Sequence, residues 1–121
     1  MKKYEAVFTS RFRAYAEKFL VAGAYELKHT RGKRLFRVSE LKEHQTAALQ
    51  AAKDGCLVYK IPDDGRAYKP FDVVVLRGVA ASVVIRFPEG TVMIDISEFP
   101  FGRKSFDYEE ACLYGAVLPI K

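Results

Sequence analysis

The sequence predicts a mixed α/β (α+β) domain, a central mixed β-sheet flanked by helices, and three observations predict it. An aromatic stripe recurs at helical spacing near the N-terminus, valine-rich runs of strand length fill the middle, and a capped amphipathic segment lies near the end. A chain of 121 residues holds one core, so residues 1–121 read as a single domain. Half the residues are apolar and 13% aromatic, too rich for a disordered tail. No apolar run approaches the roughly 18 residues of a membrane span. Two cysteines, Cys56 and Cys112, are too few for a disulfide framework, and Met1-Lys2-Lys3 leads into a charged aromatic pattern, not a signal-peptide core. A cytoplasmic protein with reduced thiols and no membrane partner is the expectation.

Phe8, Phe12, Tyr15 and Phe19 stand four, three and four residues apart and lay a stripe along a helix from about Lys3 to Leu20. Glu5 falls beside that stripe, where a carboxylate needs a partner or a job. Gly23 breaks the helix, Ala24 to Thr30 reads as a strand, and after the turn-like Arg31-Gly32-Lys33 a second short strand runs from Arg34 to Val38. Alternation places Glu26 and Lys28 on one face and Tyr25, Leu27 and His29 on the other. Ser39 as N-cap, Glu40 and Glu43 in the first turn and the stop Asp54-Gly55 predict a helix from Ser39 to Lys53. Its apolar face, Leu41, Ala48, Leu49 and Ala52, includes the polar His44 and Gln45. The rest reads as β: Cys56 to Ile61, a polar stretch Pro62 to Lys69, then Phe71 to Leu76, Ala81 to Phe87 and Thr91 to Ile96. Short turns at Arg77-Gly78 and Pro88-Glu89-Gly90 predict that the last three strands form an antiparallel meander. The runs Val73-Val74-Val75 and Val83-Val84-Ile85 predict strands covered on both faces. A final helix from about Ser105 to Tyr114, capped by Ser105, would cover one of them.

The formal charge of +5 is unevenly spread: Met1 to Lys42 carries eleven Lys and Arg against four Glu, and the remainder nine against eleven acids. A basic third suits a polyanion, because each neutralised phosphate releases counterions; it equally suits a solvated surface. Arg11, Arg13, Lys18, Arg31, Lys33 and Arg34 are the candidate phosphate contacts, with the Arg31–Arg34 turn first among them. Polar groups stand where packing prefers apolar ones at Glu5, Glu26/Lys28, His44-Gln45 and Asp72. Magnesium is held by one or two carboxylates and keeps several waters, so Glu26 and Asp72 would form a minimal site if their strands are neighbours. Lys28 would stabilise developing negative charge or orient the water, which together is the chemistry of phosphodiester hydrolysis. Each residue has a plain structural alternative: a solvated Glu–Lys pair, a turn cap at Asp72, a helix-dipole role for Glu5, and polar core residues at His44 and Gln45. Asp63, Asp64 and Asp95 are further acidic candidates. His29 and His44 stand fifteen apart and neither cysteine lies in a C-x-x-C, which argues against zinc, and no Gly-rich phosphate loop precedes a helix.

Tyr25-Glu26-Leu27-Lys28-His29-Thr30, the charged turn, Leu35-Phe36-Arg37-Val38 and Glu43-His44-Gln45 together resemble the E-x-K strand, hairpin and H-Q helix of RecU-type Holliday junction resolvases, within the PD-(D/E)XK nuclease superfamily. Tyr59-Lys60-Ile61-Pro62-Asp63-Asp64, Lys69-Pro70-Phe71-Asp72 and Ser82-Val83-Val84-Ile85-Arg86-Phe87 resemble small phage-type members of that group. The resemblance implies a restriction-endonuclease-like core and a homodimeric endonuclease using magnesium, or manganese in its place, on branched or double-stranded DNA. It implies Glu26 and Lys28 as the E and K, His44 and Gln45 as the polar helix start, and Glu5 as the first-helix glutamate. Glu26, Asp72 and Glu5 would then hold the metal, Lys28 and Gln45 would handle the water, and Arg31, Lys33, Arg34, Arg11, Arg13 and His44 would face DNA. The family's usual aspartate before E-x-K is missing, since Phe19 to Gly23 contains no acid. Asp72 therefore implies a split site with permuted strand order. The alternative is a catalytically inactive nucleic-acid-binding module on a degenerate nuclease fold, and a third reading is a structural or partner-binding protein.

Overall fold

The computed structural model describes residues 3–63 and 69–120. In chain order it contains α1 (Lys3–Phe19), β1 (Gly23–His29), β2 (Phe36–Arg37), α2 (Glu43–Asp54), β3 (Cys56–Lys60), β4 (Val73–Arg77), β5 (Ala80–Arg86), β6 (Thr91–Asp95), β7 (Ser105–Phe106), α3 (Tyr108–Tyr114) and β8 (Ala116–Leu118). The central mixed sheet has the order β1-β5-β6-β8. β1 runs parallel to β5, with Glu26 opposite Val83 and Lys28 opposite Ile85, while β5–β6 and β6–β8 are antiparallel. The β1–β5 crossover carries α2 and thus a helix on one sheet face, as parallel connections require.

Side-chain alternation gives the sheet two cores. Ala81, Val83, Ile85 and Phe87 point toward α2 and α3, joining Phe36, Leu49, Ala52, Phe106 and Ala111. Val84 points the other way, toward Phe8 and Phe12 of α1 with Leu118 and Ile120. β5 is thereby covered on both faces, and Ala81 and Val83 through Ile85 are fully buried. Gly23 starts β1 where the backbone passes so close to β5 that an added Cβ would lie 2.4 Å from the Ala80 carbonyl oxygen.

The expected helix-flanked sheet is present, but several elements differ from their sequence-based bounds. The three-strand meander is reduced to β5 and β6. β4 pairs only with β3, as a separate two-stranded ribbon. The reason lies in the two-residue link: Gly78 takes a φ of 63°, and the Val79 N–H donates to the Ala52 carbonyl at 3.0 Å, tying the chain to α2 instead of folding β4 against β5. Only alternate β4 residues, Val74 and Leu76, are half-buried; Val73 and Val75 are exposed, against the two-sided cover expected of them. Helix α2 begins at Glu43, with Ser39 in a one-turn 3-10 segment over Val38–Glu40. The strand expected over Arg34–Val38 is only β2, paired with β7. Ser105 lies in β7, and Asp107 caps α3 through a reciprocal box: its carboxylate accepts from the Glu110 N–H at 2.9 Å while Glu110 accepts from the Asp107 N–H at 3.1 Å. Phe19, the last residue of the aromatic stripe and of α1, is exposed, its ring centroid 5.0 Å from that of Tyr15. Of the polar stretch Pro62–Lys69, residues 64–68 lie outside the described residues.

Candidate active site

β1 is an edge strand of the sheet, and its α2-facing side carries Glu26 and Lys28 two residues apart. The Lys28 Nζ lies 3.4 Å from Glu26 Oε2, with both side chains largely covered. Gln45, in the first turn of α2 and half-buried, completes the group: its Nε2 donates to the same Glu26 oxygen at 3.1 Å. Its amide is oriented from behind, since Gln45 Oε1 accepts from the Lys42 N–H at 2.9 Å and so closes one of the orphan donors at the helix start. One side chain therefore caps α2 and binds the β1 carboxylate. Among the described residues Glu26 Oε1 has no hydrogen-bond partner.

Lys28 also lines a cleft of about 420 Å³ that wraps the free edge of β1, together with Glu5, Arg31, Phe36, Glu40 and Lys42. Its rim is shaped by the turn after β1. The Lys33 N–H donates to the Thr30 carbonyl at 3.2 Å, and both central residues have positive φ, 57° at Arg31 and 84° at Gly32. Two positive values in succession mark a type I′-like turn, which a non-glycine residue adopts only under local constraint. Two contacts supply that constraint: the Arg31 N–H donates to His29 Nδ1 at 2.7 Å, and the Arg31 guanidinium bonds the Glu5 carboxylate. His29 sits between the rings of Tyr4 and Phe8. Burial there pulls its pKa below the ordinary histidine value, and the nearby charges of Arg86 and Arg31 add to this against the opposing pull of Glu5. His29 thus stays neutral and keeps Nδ1 as an acceptor near pH 7.

Lys28 and Gln45 meet at the Glu26 carboxylate, and Glu5, on α1, lines the cleft with Lys28, whereas Glu26 and Gln45 are not among its lining residues. Asp72 is not brought to them. It precedes β4 on the ribbon, outside the sheet that contains β1, is well exposed and pairs with Lys69 at 3.0 Å. The expectation of neighbouring Glu26 and Asp72 strands is corrected accordingly; the β3–β4 pairing that fixes Asp72 excludes β1. No group of three His, Cys, Asp or Glu side chains forms a metal cluster among the described residues. His44 is exposed, against its expected inward placement: it stands in the first turn of α2, at the helix end, whereas the buried residues of the helix, Leu49 and Ala52, lie further along it. Asp95 is spent on structure: burial opposes its ionisation, but hydrogen bonds from Lys53 and Ser97 outweigh this and hold its carboxyl below the usual range. Asp63 is exposed and near Lys69, and Asp64 lies outside the described residues.

The expected DNA-facing cations are divided. Arg31 faces the cleft, Lys33 and Arg34 line a separate groove from the same turn, Arg11 lines a pocket with Lys3 and Arg86, and Arg13 lines a shallow depression with Glu17. Glu40 and Lys42 are cleft residues that the sequence assigns only to the expected helix over Ser39–Lys53; the late start of α2 leaves Glu40 in the 3-10 turn and Lys42 as the extended N-cap, both lining the cleft. No helix among the described residues is long and apolar enough to cross a membrane. No protein-family model, curated protein or solved structure matches the chain.

Proposed function

We propose that the chain is a divalent-metal-dependent endonuclease that hydrolyses phosphodiester bonds in branched DNA, a RecU-like Holliday junction resolvase acting as a cytoplasmic homodimer. The observation that carries this reading is the convergence of Lys28 and Gln45 on one carboxylate oxygen of Glu26, with Gln45 reaching it from nineteen residues away. An ammonium held at the mouth of a cleft stabilises the negative charge that builds on phosphoryl oxygens as water attacks phosphorus and one P–O ester bond breaks. Gln45, held by Lys42, fixes Glu26 and leaves its second oxygen open to water or a cation. Magnesium takes one or two carboxylates with substrate phosphates and waters; Glu26 would supply one, and Glu5, which lines the cleft beside Lys28 and is bonded by Arg31, would be the second. When bound, such an ion would polarise a phosphodiester oxygen and acidify a water; manganese accepts the same oxygen donors.

Cleavage of a four-way junction that requires magnesium or manganese, and disappears in Glu26→Ala and Lys28→Ala while junction binding persists, is the expected result. Cleavage unchanged in both variants overturns the assignment. The separation of Asp72 from β1 favours one second reading, a nucleic-acid-binding module whose Glu26–Lys28–Gln45 group is a structural polar bridge. Junction binding by the wild-type protein with no cut under either ion supports that reading over the first.

A further inference from the structure

The turn that lines the Lys28 cleft with Arg31 borders, through Lys33 and Arg34, a larger groove of about 860 Å³, built from two segments about seventy residues apart. Lys33, Arg34 and Arg37 line it from one segment, Arg103 and Lys104 from the other, with Leu35 as an apolar patch between them and no carboxylate in the lining. The frame is fixed by backbone: Arg37 faces Ser105 in the β2–β7 pair, and the Val38 N–H donates to the Lys104 carbonyl at 2.9 Å. Two of the cations are held from behind by the capping box of α3, Arg34 by Asp107 at 3.0 Å and Arg103 by Glu110. Lys33, Arg37 and Lys104 have no carboxylate partner among the described residues and are exposed. Folding therefore gathers like charges that repel one another and leaves three of them uncompensated, an arrangement that an anionic ligand relieves.

We propose that this groove is a track for the phosphodiester backbone of nucleic acid, with Arg37 and Lys104 as its central phosphate contacts and Arg34 and Arg103 as pre-oriented guanidinium forks. The proposal rests on the DNA reading above and extends it to residues outside the basic first third. An open, exposed groove with several separated cations matches a repeating polyanion better than a single phosphate, which is gripped by converging donors. Leu35 offers a surface for the sugar edge. Because the turn that bears Lys33 and Arg34 also carries Arg31 into the cleft, a strand lying in the groove is led past that turn toward Lys28.

The test measures binding of a labelled four-way junction and of a plain duplex across a salt series, without divalent ions, for the wild-type protein, Arg37→Ala/Lys104→Ala, the charge-preserving Arg37→Lys/Lys104→Arg, and a control, Lys60→Ala, exposed on β3. The alanine pair is expected to weaken binding on the order of tenfold near 0.1 M salt and to lower the slope of log affinity against log salt by about two, since each phosphate contact contributes about 0.9. The charge-preserving pair and the control are expected to keep both quantities, and all variants to keep the wild-type thermal midpoint. An alanine pair that binds with unchanged affinity and slope overturns the groove while the endonuclease reading stands. Wild-type protein that binds polyglutamate but neither DNA overturns nucleic acid as the ligand and with it the reading on which the groove rests.

Discussion

β4 and β5 carry almost the same apolar sequence, Val73-Val74-Val75-Leu76 against Val83-Val84-Ile85, and stand in opposite environments. Every valine of β5 is fully buried because the strand lies inside the sheet with α1 on one face and α2 on the other. Val73 and Val75 of β4 are about half exposed because their ribbon has one helix beneath it and nothing described above it. A run of valines shows that a strand tolerates two-sided burial; its neighbours decide whether it receives it. The same division separates the acids. Glu26 is on the strand that pairs with β5 and is held by Gln45 and Lys28, whereas Asp72 precedes the ribbon strand β4 and its carboxylate pairs with Lys69.

The sharpest test of that division is catalytic. Glu26→Ala is expected to lower the single-turnover cleavage rate of a four-way junction by roughly 10²–10³-fold, the scale of removing one charge-stabilising group, while Asp72→Ala stays within about twofold of wild type. Equal losses in the two variants would break the comparison by placing Asp72 in the working site. Next in size is packing. Val83→Ala should cost about 2–3 kcal/mol in urea unfolding, through lost transfer free energy and a residual cavity. Val75→Ala, the same deletion on the ribbon, should stay within about 0.5 kcal/mol. Similar costs at both positions would mean that the ribbon face is covered in solution.

Gly23→Ala probes the close approach that joins β1 to β5 and should cost about 1–3 kcal/mol, because the new methyl meets the rigid Ala80 carbonyl. The smallest effect concerns pH. His29 has its pKa lowered on folding, so the unfolded chain binds more protons than the native one between the two values. Its contribution is complete above the unfolded value of about 6.5 and is lost as pH falls through that value toward the folded one. Thermal midpoints should decline over that window in the wild-type protein, and the decline should flatten in His29→Phe. Loss of the Arg31 N–H bond to the protonated ring should also weaken the turn that borders both the cleft and the basic groove.

Much of the candidate site was legible because strand and helix periods act at short range. Alternation sufficed to put Glu26 and Lys28 together and to turn Tyr25, Leu27 and His29 toward α1, where His29 meets Tyr4 and Phe8. Gln45 was legible as an inward polar residue, but not its double role as helix cap and carboxylate donor, which depends on where α2 begins. Local capping signals misled at Ser39 and Ser105. Leu41 is buried before the helix proper starts, and the reciprocal Asp107–Glu110 box outcompetes the single serine cap at α3. The charge of the first third was read correctly as composition, yet its continuation through Arg103 and Lys104 was hidden, since those cations lie in a nearly neutral stretch and join the others only through the β2–β7 pair.

What the chain determined by itself was what neighbouring residues along it impose on each other: a mixed α/β content, the faces of β1, a turn at Arg31-Gly32-Lys33, and a basic first third. Only the tertiary structure decided which strands pair, which valines leave water, that Asp72 stands apart from Glu26, and that five cations from two distant segments share one groove. The physical reason is the range of the interactions. Backbone sterics and periodicity act over a few residues, whereas strand pairing and charge clustering depend on contacts whose partners the local sequence does not name.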